Sequence, residues 1–219
     1  MSFIIKNSML IMFWGIIITT ILSFFIIFVL EYLPKKIKII IEIIVTLPLF
    51  IPPSVSGYFI LSVFGMQGII GKIFYKYFGI RFTFTIYGAI LAGVIVSLPI
   101  VYQSIKLASS SIEKEYIEEA IILGVNRYQL FKDIIFPMSK KGIFTGIVLG
   151  MGRILGEFGA TLMVAGNIPN KTQTLSIAIY SAVENGEEQK AFILVLIVLW
   201  LSIMIMFIHN ILKKEVKIN

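Results

Sequence analysis

The chain alternates between long apolar runs and short polar segments. Four runs contain no Asp, Glu, Lys or Arg: Ser8–Leu30, Ile43–Phe64, Thr83–Ile105 and Ala191–Ile211. Each reaches the roughly 20 residues that a helix needs to cross bilayer hydrocarbon. A fifth run, Gly142–Val164, is long enough but carries Arg153 and Glu157. The pattern predicts an all-α fold. Residues 1–219 form one polytopic membrane domain of about five transmembrane helices, with the termini on opposite sides. The first run is longer than a signal peptide's apolar core, and no small-x-small cleavage site follows it, so it reads as a retained helix.

Composition agrees. Apolar residues make up 58% and charged residues 14%, against about 25% charged in an average soluble domain. Mean hydropathy is +0.97. A water-soluble fold would lack polar surface. The absence of Cys excludes a disulfide framework, thiolate zinc and cysteine catalysis. The net charge of +7 is explained by basic residues retained in cytoplasmic loops rather than by nucleic acid. With the N-terminus outside, Lys6, Lys72, Lys76, Arg81, Lys171 and Lys190 fall outside. Twelve Lys and Arg, among them Lys35, Lys36, Lys38 and Lys217, fall inside. The bias predicts an N-out, C-in protein of the cell membrane.

Several spans carry breaks. Pro48, Pro52 and Pro53 predict kinks in the second, since proline removes a backbone donor and clashes with the preceding turn. Gly142-x3-Gly146-x3-Gly150 lays a small-residue face along the fourth. That face lets a neighbouring helix approach closely, from the same chain or from a symmetry mate. Arg153 and Glu157, four apart, share a helix face. They read as a mutual ion pair inside the bundle and as candidates, with Thr161 and Thr174, for a substrate pathway or subunit seam. The polar stretch 171–190 is expected outside, with a short helix at Thr174–Val183.

The segment between spans three and four, residues 109–141, is more ordered than a connector needs. Ser110 and Glu113 fit a capping box. A helix is predicted at Ile112–Leu123, with Ile117, Ala120 and Ile121 on one face and Gly124 as a left-handed C-cap. Asn126 with Gln129 marks a second start, and the helix Arg127–Ile135 should stop before Pro137. Surface-lying membrane helices favour Lys and Arg. Glu113, Glu115, Glu118 and Glu119 point instead to a cytoplasmic hairpin that docks a soluble partner.

This hairpin resembles the EAA loop of bacterial ABC importer permeases, roughly E-A-A-x3-G-x9-I-x-L-P. Glu118, Glu119, Ala120, Gly124, Ile134, Phe136 and Pro137 occupy those places. Glu119 replaces the first Ala and Phe136 replaces Leu, while the spacing is kept. Leu47–Tyr58 (LPLFIPPSVSGY) and Leu155–Asn167 (LGEFGATLMVAGN) are similar to the molybdate branch of the molybdate/tungstate/sulfate permease family. The resemblance covers roughly residues 47–180. It implies a homodimer with a pathway at its two-fold axis and two copies of a separate ABC ATPase that hold the ATP-Mg. Glu118, Glu119, Ala120, Gly124 and Pro137 would dock that ATPase, and an extracytoplasmic molybdate-binding protein would deliver the oxyanion. Sulfate and tungstate permeases are the related alternatives, and an ion-coupled carrier is the alternative of another class.

The chain itself offers no energy source and no enzyme site. Gly65–Ile73 is the nearest string to a P-loop, but its spacing is wrong and Ile73 stands where Ser or Thr belongs. No nucleophile, base and orienting group come together in the sequence. His209, the single His, reads as an interfacial side chain. No catalytic residue, metal ligand or cofactor is therefore expected on this chain.

Overall fold

The computed structural model describes residues 1–215, and Lys217 lies outside them. Regular structure among the described residues is helical. The elements are α1 (Ser2–Glu31), α2 (Lys35–Thr46), α3 (Pro53–Phe64), α4 (Ile69–Phe78), α5 (Ile86–Ser110) and α6 (Lys114–Ile122). They continue as α7 (Arg127–Gln129), α8 (Phe136–Leu155), α9 (Gly159–Ala165), α10 (Leu175–Glu184) and α11 (Glu188–Glu215). A 3₁₀ turn, Leu47–Leu49, follows α2, and a π turn, Leu130–Ile135, joins α7 to α8. Among the described residues, four helices are long and apolar enough to cross a membrane: α1, α5, Leu130–Leu155 and the Glu188–Ile211 part of α11.

The predicted second span is not one kinked helix. Lys35–Leu49 and Pro53–Phe64 are separate helices bent by 119°. Pro53 drives its predecessor out of the α region, and Pro52 is accordingly extended at φ −57°, ψ 142°. Pro53 then opens α3, where its missing N–H costs nothing. Pro48 lies in the 3₁₀ turn. Counted together, the bent pair makes the fifth crossing.

The predicted fourth span is also broken. It ends at Leu155, with Gly156 as C-cap, and restarts as α9. Arg153 sits in the last turn of α8, where a cation complements the partial negative charge of the helix end.

Contacts between distant segments fix which ends share a side. Near the start of α1, the Asn7 amide donates to Lys171 O (3.2 Å) and Gln173 O (3.3 Å), and Ser8 Oγ accepts from Leu175 N–H (2.9 Å). Further along α1, Phe24 packs edge-on against Phe131 of the π turn. The N-terminus therefore lies at the end of the bundle opposite the 109–141 hairpin. Glu42 of α2 reaches Lys106 near the end of α5 at 2.6 Å, placing α2 at the hairpin end. Phe64 of α3 meets Phe82, just before α5, so the bent pair ends at the opposite one.

Helix α5 is central. Two thirds of its apolar window is buried (67%), against 11% for α11, most of whose surface is left for lipid or another subunit. The glycine stripe of α8 lies against α5 of its own chain. A Cβ on Gly142 would fall 2.2 Å from Ala108 Cβ, and one on Gly146 2.7 Å from Ser104 Cβ. At Gly150 it would meet Val101 of α5 at 2.6 Å and Ile16 of α1 at 2.7 Å. We expect Gly146→Val to wedge α8 from α5 at a cost of roughly 1–3 kcal/mol. Thermal unfolding of the purified protein would show it as a lower transition temperature. An unchanged transition would mean that the two helices do not pack this closely.

Candidate functional site

Two places gather the singled-out residues: the hairpin, and the junction where the two broken elements meet.

The hairpin follows its predicted order with altered boundaries. Helix α5 overruns to Ser110, whose hydroxyl donates to Leu107 O at 3.1 Å. The Ser110–Glu113 capping box therefore does not form, and α6 begins at Lys114, two residues later than predicted, behind Glu113. Its C-terminus closes as a Schellman motif, with Val125 N–H donating to Ala120 O and Gly124 N–H to Ile121 O, both 3.0 Å. Gly124 adopts φ +81°, as its place in the sequence predicts. Asn126 and Gln129 then cap each other reciprocally: Gln129 N–H donates to Asn126 Oδ1 (2.9 Å) and Asn126 N–H to Gln129 Oε1 (3.1 Å).

The second helix does not stop before Pro137. The chain stays helical from Arg127 to Leu155 through the π turn. A proline ring clashes with the carbonyl four residues back in a regular helix. Here the backbone upstream of it is widened, and Phe136 N–H donates five residues back, to Phe131 O. The hairpin thus runs without a joint into the span that follows it.

Glu118, Glu119, Gly124 and Pro137 are exposed, and Ala120 is buried. Two residues that the sequence did not single out dominate the tip. Ile122 and Leu123 are 83% and 82% exposed, and Ile121, predicted to share a face with Ile117 and the buried Ala120, is 58% exposed. Three consecutive apolar residues cannot share one helix face, and that was the available signal. The hairpin therefore presents an apolar tip beside Glu118 and Glu119.

The junction joins the two broken elements. The α3–α9 contact is close at Gly57, where a Cβ would lie 3.0 Å from Met163 Cβ and 3.1 Å from the Ala160 Cα. Beside them, Ile60, Ala160 and Val164 bury against Ala92 and Val96 of α5. The segments Leu47–Tyr58 and Leu155–Asn167, far apart in sequence, are thus brought together.

At its edge Arg153 Nη1 lies 2.6 Å from Glu157 Oε2, the predicted ion pair. The Glu157 side chain is 2% exposed and that of Arg153 29%. Glu157 also accepts from Ala160 N–H at 2.8 Å, so one carboxylate holds the end of α8 and caps the start of α9. Thr161 is buried within α9. Thr174 caps α10 by accepting from Ile177 N–H at 3.4 Å, so its hydroxyl is already engaged in the fold. Among the described residues, neither threonine hydroxyl is hydrogen-bonded to the ion pair. The ring of Phe158 meets that of Tyr180, 5.0 Å between centroids, and Ser176 Oγ donates to Leu155 O at 3.1 Å. Tyr180 donates to Glu184 Oε1 at 2.5 Å, a bond to a carboxylate that lifts the phenol's pKa above its ordinary value. His209 pairs with Thr145 across α8 and α11 at 3.3 Å.

Residues 25–218 match the family described as the inner membrane component of binding-protein-dependent transport systems. The chain belongs to this family. It is a multi-pass membrane protein of the permease class, and its many apolar helices agree. It is 36% identical over 181 residues to the molybdenum transport system permease protein ModB of Haemophilus influenzae, covering 82% of this permease and 79% of that one. It is 31% identical over 198 residues to the probable sulfate transport system permease protein cysT of Chlorella vulgaris, covering 90% and 74%. Its fold is shared with a bacterial ABC transporter involved in the import of the acidic polysaccharide alginate. The TM-score there is 0.73 at 18% identity, over 98% of this chain and 79% of the other.

Proposed function

We propose that this permease is the membrane subunit of an ATP-driven importer that brings molybdate into the cytoplasm. The observation that carries the reading is the hairpin. It packs against the π turn, presents an apolar and acidic tip, and continues without a break into a membrane-crossing helix. A contiguous apolar tip more than four-fifths exposed marks a docking surface for a partner. That partner is a separate ABC ATPase that holds the ATP-Mg, and its closure would move the hairpin and α8 together.

The functional unit is a homodimer with two ATPases, with the pathway along the two-fold axis beside α3 and α9. An extracytoplasmic binding protein supplies the oxyanion. With the hairpin in the cytoplasm, the N-terminus is outside, in agreement with the Lys and Arg distribution. The higher identity to ModB than to the sulfate relative favours molybdate. Selectivity resides mainly in the binding protein, because a pathway that binds a dianion tightly would not release it.

Proteoliposomes holding the permease, its ATPase and its binding protein test this. Labelled molybdate should enter only with ATP, and excess tungstate but not sulfate should block it. Block by sulfate would assign the chain to sulfate transport. Uptake without ATP would make it an ion-coupled carrier.

A further inference from the structure

Helix α4 has a face that neither the bundle nor the transport reading uses. It lies at the end opposite the hairpin, since it precedes the start of α5 while the hairpin follows its end. One side is locked to the protein. A Cβ on Gly71 would fall 2.0 Å from Gly65 O, and Phe74 stacks edge-on against Phe82. Gly79, at φ +66°, ends the helix.

The other side pairs an apolar stripe with a basic one. Ile69, Ile73 and Tyr77 follow at intervals of four and are 80%, 48% and 70% exposed. Lys72 and Lys76, also four apart and exposed, run alongside. No Asp or Glu occurs between Glu42 and Glu113. Neither lysine is in an ion pair among the described residues. In water this face would expose its apolar stripe at a cost. At the level where the spans leave the hydrocarbon, isoleucines enter acyl chains, tyrosine suits the interface, and lysine stems reach up to headgroups.

We propose that α4 is an interfacial anchor that selects anionic phospholipid headgroups in the outer leaflet through Lys72 and Lys76. Such an anchor is separate from the transport pathway. It accounts for a basic cluster on the side where the distribution of Lys and Arg otherwise disfavours one. The lysines receive from lipid the negative charge that the surrounding sequence lacks.

The absence of Cys makes the test direct. An I73C permease, labelled with a fluorophore and then assembled with its ATPase, is reconstituted in vesicles containing headgroup-spin-labelled phosphatidylglycerol or phosphatidylcholine. The anionic lipid should quench roughly fivefold more strongly at equal mole fraction. K72Q/K76Q should remove the difference, and K72R/K76R should keep it. Equal quenching by both lipids in the parent would overturn the proposal. So would relief of quenching by added molybdate, which would mark a free-anion site, or by the binding protein, which would mark a protein-docking face.

Discussion

Replacing Arg153 with Ala is expected to cost the folded permease roughly 3–5 kcal/mol, because a buried carboxylate loses its cation. Glu157 is almost sealed from solvent, and its partners in the structure are the Arg153 guanidinium and the Ala160 N–H. One hydrogen bond does not replace a full charge. The opposite deletion is milder. Glu157→Gln keeps an acceptor for Ala160 N–H and leaves unpaired an arginine whose side chain is 29% exposed rather than sealed in the bundle. The double variant R153A/E157Q should therefore be more stable than R153A alone. A drop of roughly 10 °C in the unfolding temperature of R153A would match this cost, with E157Q between it and the parent. If R153A unfolds like the parent, the pair contributes nothing to the fold. If it also transports normally, Arg153 has no part in the pathway.

The ion pair shows what was legible in the sequence. Two opposite charges four apart in an otherwise apolar run have few alternatives in lipid, so their pairing was predictable. Their second role was not. Glu157 lies in a break between α8 and α9, and hydropathy that stays high on both sides of the ion pair gives no sign of that break. Lipid demands apolar side chains from continuous and interrupted helices alike. Hydropathy therefore located the crossings and concealed their joints, at Gly156 as at Pro52–Pro53. There the proline pair predicted a kink, but the restriction that one proline places on its predecessor reverses much of the chain direction.

Local signals failed where two elements competed for one residue. Ser110 is a sound cap by pattern, but α5 extends over it. Pro137 is a sound stop by pattern, but the π turn lets the helix pass. Thr174, expected as the first residue of the short outer helix, is its N-cap instead. Asn7 and Ser8 hold residues more than 160 positions away, and no local pattern announces such contacts. Gly124 succeeded because its requirement is local, being set by one backbone angle.

That angle gives the second large prediction: Gly124→Val should weaken ATPase binding by one to two orders of magnitude while leaving the bundle intact. At φ +81° a Cβ on Gly124 would have nothing within 4 Å. The penalty is therefore conformational, not a collision, and about 1–3 kcal/mol for a residue forced into this region. The chain can escape it by giving up the bonds from Val125 to Ala120 and from Gly124 to Ile121. Either response moves Ile122 and Leu123, the residues just before the turn, away from the position in which a partner would meet them. Gly124→Asn, which tolerates the left-handed conformation, should retain most of the binding, with Gly124→Ala between the two. Titration of the ATPase onto permease in nanodiscs would measure this order, and the unfolding temperature of the permease alone would serve as the control. The control should not change, because Ile122, Leu123 and Gly124 are exposed at the tip of the hairpin and outside the packed core of the bundle. Binding equal to the parent in G124V would show that the hairpin tip is not the surface the ATPase holds.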